Sequence, residues 1–135
     1  MGESRQTELV VIGAGPGGYA AAFRAADLGK QVLLVDRDPE LGGVCLNRGC
    51  IPSKALLHIS KVMDQATHLE TMGVKYGKPD INIDKIRDYK NKIVSQLNSG
   101  IAQMANARKV QTIQGLASFV SNTELKVQTS TGNVT

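Results

Sequence analysis

The sequence predicts an α/β fold built around a parallel sheet, and three features near the start of the chain indicate it. Leu9–Ile12 is an uninterrupted apolar run, typical of a strand buried on both faces of a parallel sheet. Residues 17–28 are rich in alanine and favour a helix. Residues 32–35 form a second apolar run, which ends in Asp36. Strand, helix and strand within about thirty residues predict a βαβ unit.

The remainder of the chain predicts further helices and a small additional β element. Residues 37–43 are expected to form a loop, and a helix is expected from the cysteines to Leu69. Residues 111–119 and 125–129 are typical of strands. Apolar residues at steps of three and four predict a long amphipathic helix whose stripe lies in the core. That stripe comprises Ile86, Tyr89, Ile93, Leu97, Ile101 and Met104.

Length and composition favour one globular domain. The chain has 135 residues, of which 41% are hydrophobic and 21% charged. It lacks both an apolar run of the roughly 20 residues that cross a bilayer and the apolar stretch of a secretory signal. The net charge is +4, but the basic residues are dispersed and tryptophan is absent, which disfavours nucleic-acid binding. We therefore expect a cytoplasmic protein with neither a membrane nor a nucleic-acid partner.

A glycine-rich turn follows the first predicted strand. Gly13, Gly15 and Gly18 are spaced as G-x-G-x-x-G between a strand and a helix, the context of a Rossmann-like dinucleotide site. The helix N-terminus would present N–H groups and partial positive charge to a pyrophosphate. Asp36, at the end of the second strand, is placed to accept hydrogen bonds from a ribose. Tyr19 stands where a nucleoside-triphosphate loop needs lysine, which excludes that alternative.

The two cysteines, Cys45 and Cys50, are the only ones in the chain. In a cytoplasmic protein such a pair is usually catalytic or redox-sensing, although two structural cysteines that never pair remain an alternative. A structural zinc site lacks two further ligands, because His58 and His68 are not spaced as a ligand pair, so no metal is expected.

The segment that contains both cysteines closely resembles the redox signature of the flavin-dependent pyridine nucleotide-disulfide oxidoreductases. It reads GGVCLNRGCIPSK over residues 42–54, and the resemblance extends over residues 8–127. Within that family, residues 46–47 and 51–57 are most similar to the members that oxidise dihydrolipoamide. Members of the glutathione and mercuric reductase types remain alternatives. So do an NAD-binding domain without flavin and a non-catalytic dinucleotide-binding module.

The resemblance implies a role for each matching residue. Cys45 would be the interchange thiol that meets the substrate and Cys50 the thiol that faces the flavin, while Lys54 would lie near the flavin ring. This lysine and a helix N-terminus are expected to lower the thiol pKa values. The glycine turn and Asp36 would bind the ADP half of FAD, and the main chain at Ala117 would contact the adenine. The other implied FAD-binding residues are Arg37, Gly43 and Val44.

Two positions depart from the family pattern. Val44 stands where threonine is common and lacks one side-chain hydrogen bond, and Asp36 replaces the commoner glutamate, which shortens the reach to the ribose. Neither change removes a reacting group.

The resemblance also implies parts that this sequence lacks. There is no second glycine-rich turn for NAD, and no histidine–glutamate pair of the kind that a partner subunit supplies in the homodimeric family. We therefore expect residues 1–135 to be the N-terminal part of an FAD-binding domain, inactive alone and weak in FAD binding. The whole protein would pass electrons from dihydrolipoamide on lipoyl domains of 2-oxoacid dehydrogenase complexes, through the disulfide and FAD, to NAD.

Overall fold

The structure, a computed structural model, describes residues 4–135 and confirms the predicted α/β class. Strands β1 (Leu9–Ile12), β2 (Val32–Asp36) and β3 (Gln111–Gln114) form a parallel sheet with β2 in the centre. The helices of the described residues are α1 (Pro16–Asp27), α2 (Gly43–Asn47), α3 (Cys50–His68), which continues into a 3₁₀ turn (Leu69–Met72), and α4 (Ile83–Ala107). An antiparallel sheet follows, made of β4 (Leu116–Phe119), β5 (Leu125–Thr129) and β6 (Gly132–Val134).

Strand β2 is the centre of the core because both of its faces are covered. Val32 and Leu34 face a cluster that includes side chains of α1 and α4. Leu33 and Val35 alternate with them and pack against the small antiparallel sheet. The parallel sheet therefore lies between a helical layer and a β layer, and the predicted burial of this strand on both faces is confirmed.

The prediction of burial on both faces is wrong for β1. Leu9 is 39% exposed and Ile12 is 48% exposed. Among the described residues β1 pairs with β2 alone, so it is an edge strand of this sheet. Its apolar sequence matches that of a central strand, and sequence pattern does not separate the two cases.

The helix predicted from the cysteines to Leu69 is in fact two helices. Helix α2 ends at Asn47, and α3 begins at Cys50. The chain turns tightly at Gly49, where an added Cβ would lie 2.9 Å from the carbonyl oxygen of Val44. This turn places the start of α3 directly beside α2.

Helix α4 confirms the predicted amphipathic helix but buries a different stripe. Ile101 is buried, whereas Tyr89, Leu97 and Met104 are each more than 40% exposed. The buried positions are Asn98, Ile101 and Ala105, because this face of the C-terminal half packs on the sheet core. Helix α4 also packs along α3, but the rest of its apolar stripe stays partly exposed to solvent.

The run predicted as one strand over residues 111–119 divides at Gly115 between the two sheets. A Cβ at Gly115 would come within 2.6 Å of Val127 Cγ1, so glycine permits the close crossing. Strand β6 was not predicted, because its three residues carry little apolar pattern. No helix within residues 4–135 has the length and apolar content needed to cross a membrane.

A pair of matched leucine substitutions tests this core. Leu34 is 1% exposed in β2, and we expect Leu34→Ala to lower the free energy of unfolding by about 2–5 kcal/mol. Leu28 is 64% exposed after α1, and Leu28→Ala should change it by less than about 0.5 kcal/mol. Urea unfolding followed by circular dichroism measures both, and equal losses would contradict the described core.

Candidate functional site

The glycine turn joins β1 to α1 with no side chain over the helix N-terminus. Gly15 is the N-cap of α1, no side chain caps the helix, and no acidic residue lies in its first turn. A Cβ at Gly15 would meet no atom within 4 Å, whereas a Cβ at Gly18 would overlap the carbonyl oxygen of Gly13. Gly18 thus permits close packing of helix on strand, and the N-terminus of α1 is open to an anion.

Asp36 lies at the carboxyl end of β2, beside the glycine turn. Its Oδ2 accepts a hydrogen bond from the backbone N–H of Ala14 at 2.5 Å, and its Oδ1 accepts one from Asp38 N–H at 2.9 Å. The Gly115 N–H donates to the Asp36 carbonyl at 2.8 Å. The carboxylate is therefore fixed at the edge of the sheet where all three strands end.

The loop that follows β2 folds back onto the glycine turn. The Gly42 N–H donates to the Ala14 carbonyl at 2.8 Å. A Cβ at Gly43 would lie 2.7 Å from the Cα of Gly15, so only glycine allows the two segments to approach this closely. Helix α2, which carries Cys45, begins at this contact.

The structure brings Cys45, Cys50 and Lys54 together. Cys45 lies in α2 and is half-buried, while Cys50 is the first residue of α3 and is exposed. Both are free thiols, and the Cys50 side chain lies close enough to Cys45 to be the main influence on its pKa. Lys54 is one helical turn after Cys50, and its charge acts on Cys45. The three residues that the sequence groups together are therefore neighbours in the fold.

The pKa of the Cys45 thiol is raised above its ordinary value, contrary to the expectation from the sequence. The main cause is the hydrogen bond with the Cys50 side chain, which favours protonated Cys45, followed by desolvation and the charge that Cys50 can carry. The Cys50 backbone N–H and the Lys54 ammonium act in the predicted direction and lower this pKa, but they do not outweigh the neighbouring thiol.

The remaining predicted residues lie around the same edge. Arg37 directly follows Asp36, and its carbonyl accepts a bond from Gln114 Nε2 at 3.3 Å. Val44 precedes Cys45 and is 59% exposed. Ala117 lies in β4, an edge strand of the antiparallel sheet that begins directly after Gly115. Its side chain is half-buried against the core cluster that contains Leu33 and Val35. Their contacts with a cofactor stay predictions.

Sequence reasoning missed four polar residues that hold this arrangement. Arg48 pairs with Asp38 at 2.6 Å, and Asn98 of α4 hydrogen-bonds to Asn47 of α2 at 2.9 Å. The sequence does contain a signal for Asn98, because this polar residue shares a face of α4 with Ile101 and Ala105.

His58 and His68 are exposed. Within residues 4–135 no group of three or more His, Cys, Asp or Glu side chains is placed to hold a metal ion.

Comparisons with known proteins agree with this geometry. The model of the family described as pyridine nucleotide-disulphide oxidoreductase matches residues 7–133. A dihydrolipoyl dehydrogenase of Haemophilus influenzae is 48% identical over 135 residues, which is 100% of this chain and 28% of that protein. One of Buchnera aphidicola is 50% identical over 127 residues, 94% of this chain and 27% of the relative. One of Vibrio cholerae is 46% identical over 132 residues, 98% of this chain and 28% of the relative.

The chain thus spans little more than a quarter of the length of these curated relatives. The resemblance drawn from residues 42–54 is confirmed by both comparisons.

The pH dependence of Cys45 alkylation tests the thiol electrostatics. In Cys50→Ala the main cause of the raised pKa is removed, so the midpoint of the alkylation rate should move to lower pH. In Lys54→Gln a cause that lowers the pKa is removed, so the midpoint should move to higher pH. Trypsin cleaves at Arg48, between the cysteines, so mass spectrometry can follow Cys45 alone.

Lys61→Gln is the matched control, since Lys61 is an exposed cation of the same helix that does not act on Cys45. A midpoint in Cys50→Ala that stays in place or rises would contradict the described hydrogen bond.

Proposed function

Because the chain belongs to the pyridine nucleotide-disulphide oxidoreductase family, we propose that it is the FAD-binding, disulfide-carrying part of a dihydrolipoyl dehydrogenase. The observation that carries the proposal is that α2, which carries Cys45, begins where its preceding loop contacts the dinucleotide-type glycine turn, with Cys50 beside Cys45. The whole protein would oxidise dihydrolipoamide on lipoyl domains of 2-oxoacid dehydrogenase complexes and reduce NAD. In this proposal it is a cytoplasmic homodimer whose NAD-binding and dimerisation domains lie outside residues 1–135.

The residues present fit FAD. The glycine turn has no Cβ where a pyrophosphate would lie, since the space next to Gly15 is open, and α1 directs an uncapped N-terminus to it. Asp36 would hold the ribose, exchanging or sharing its present bond with the Ala14 N–H. Arg37, Gly43, Val44, Lys54 and Ala117 would complete the FAD contacts within this chain. FAD, when bound, supplies a two-electron acceptor beside the cysteines.

The cysteines perform thiol–disulfide exchange. With the pair oxidised, one thiolate of dihydrolipoamide attacks the Cys45 sulfur, and the Cys50 sulfur leaves with the electron pair of the broken bond. The second thiolate of the substrate then attacks the substrate's other sulfur, which is bonded to Cys45 in the mixed disulfide, and displaces Cys45 as a thiolate. Lipoamide leaves as a cyclic disulfide, and two electrons and two protons have reduced the pair to thiols.

The surroundings support unequal roles for the two sulfurs. The Cys50 sulfur is released at the first residue of α3, one helical turn before Lys54. Cys45 retains its proton more strongly because its pKa is raised. The displaced Cys45 thiolate is therefore readily reprotonated, which would drive the release of lipoamide.

Reduction of the oxidised chain by dihydrolipoamide tests the proposed substrate. We expect one equivalent of dihydrolipoamide to expose two thiols, counted as alkylated peptides by mass spectrometry. Cys45→Ser should expose no additional thiol on reduction, because this variant can form no intramolecular disulfide. The same assay with glutathione tests the glutathione reductase alternative. A chain whose cysteines stay reduced under oxidising conditions would contradict the redox role and favour a non-catalytic dinucleotide-binding module.

Filling the open space at Gly15 tests the cofactor site. Gly15 has an ordinary extended backbone, so Gly15→Val should leave the circular dichroism spectrum unchanged. The side chain would occupy the pyrophosphate position and raise the Kd for FAD at least about tenfold, or about 1.4 kcal/mol. Gly100→Ala is the control, because its Cβ also meets no atom within 4 Å but lies in α4, in another part of the fold. Flavin fluorescence measures binding, and equal affinities would place the cofactor elsewhere.

A further inference from the structure

We propose that Asn98 is a positioning residue that holds Cys45 in register with Cys50, acting through Asn47. Asn98 is 8% exposed, and it is the single polar residue that is buried among the described residues. The inference rests on the proposed redox function of the cysteine pair, which it extends to a residue of α4 far from it in sequence.

The side chain of Asn98 joins two segments of the site. Its Nδ2 donates to the carbonyl oxygen of Leu41 at 2.6 Å and to Asn47 Oδ1 at 2.9 Å. Asn47 Nδ2 in turn contacts the Leu41 carbonyl at 3.4 Å. One buried amide therefore ties the loop before the cysteines to the last residue of α2.

Helix α2 needs such an anchor because it is too short to be stable alone. It comprises five residues, and a single helical turn fixes several dihedral angles for one or two hydrogen bonds. Its other anchor is Leu46, which is 6% exposed in the core. Leu46 and Asn47 follow Cys45 directly, so the orientation of α2 determines where the Cys45 sulfur lies.

The position of α2 sets the effective concentration of the Cys45 thiol relative to the Cys50 thiol. With α2 fixed, Cys45 is held at the start of α3 near Cys50, which favours the intramolecular disulfide over the dithiol. Loss of the Asn98 amide leaves the half-buried side-chain oxygen of Asn47 without this donor and frees α2 to move. The disulfide should then be less stable relative to the dithiol, with no change to either sulfur.

Equilibration of the chain with a dithiothreitol redox buffer measures this balance. Reduced dithiothreitol gives two electrons and two protons to the protein disulfide and becomes its own cyclic disulfide, so the equilibrium reports the stability of the Cys45–Cys50 bond. We expect Asn98→Ala to shift the equilibrium about tenfold toward the dithiol, which is about 30 mV for a two-electron couple.

A double-mutant cycle separates positioning from general weakening. Asn47→Ala should give the same shift as Asn98→Ala, and the double variant should give no further shift. Asn91→Ala, an exposed asparagine of the same helix, should have no effect. Val127→Ala weakens the core beneath the antiparallel sheet, which contains no residue of α2, and should leave the equilibrium unchanged. If Asn98→Ala does not fold, Asn47→Ala carries the test, because it opens no buried cavity.

The outcomes separate the two proposals. If the wild-type chain forms no Cys45–Cys50 disulfide in this buffer, the proposed redox function is wrong and the role of Asn98 is wrong with it. If the disulfide forms and both asparagine variants keep the wild-type equilibrium, or if their shifts add, only the role of Asn98 is overturned.

Discussion

The close backbone contact between the glycine turn and the loop before the cysteines determines the whole site. The Gly42 N–H binds the Ala14 carbonyl at 2.8 Å, and Gly43 approaches Gly15 so closely that a Cβ would lie 2.7 Å from its Cα. Because α2 begins at this contact, the first cysteine lies within the first helical turn after it. A larger residue at Gly43 would separate the phosphate-binding and sulfur-bearing parts of the molecule.

This contact depends on strand β2, the fully buried centre of the fold. Its side chains pack alternately on the helical layer and on the antiparallel sheet. The carboxylate of its last residue, Asp36, accepts a hydrogen bond from the Ala14 N–H of the glycine turn. The same carboxylate accepts from Asp38, whose side chain pairs with Arg48 between the two cysteines. Cradle and thiols are thus linked through polar contacts as well as through the backbone.

Much of the fold and the main site residues could be predicted because they depend on local pattern. Two apolar runs and a glycine turn predict the βαβ unit, and the cysteine signature is contiguous in sequence. The errors came from tertiary context. Leu9 and Ile12 have the sequence of a central strand, yet β1 is an edge. Apolarity selects one stripe of α4, whereas the face that packs on the core includes Asn98. The raised pKa of Cys45 depends on the neighbouring thiol, whose hydrogen bond no spacing rule supplies.

Under the proposed function, the cysteine pair lies where the flavin end of a dinucleotide bound at the glycine turn would reach it. Amide NMR spectra of the isotope-labelled chain, titrated in parallel with ADP and with FAD, test this claim even at weak affinity. We predict that both ligands perturb the amides of the glycine turn and Asp36, and that FAD alone also perturbs Cys50 and Lys54. Identical perturbations from the two ligands, or FAD-specific changes far from the cysteines, would contradict the account.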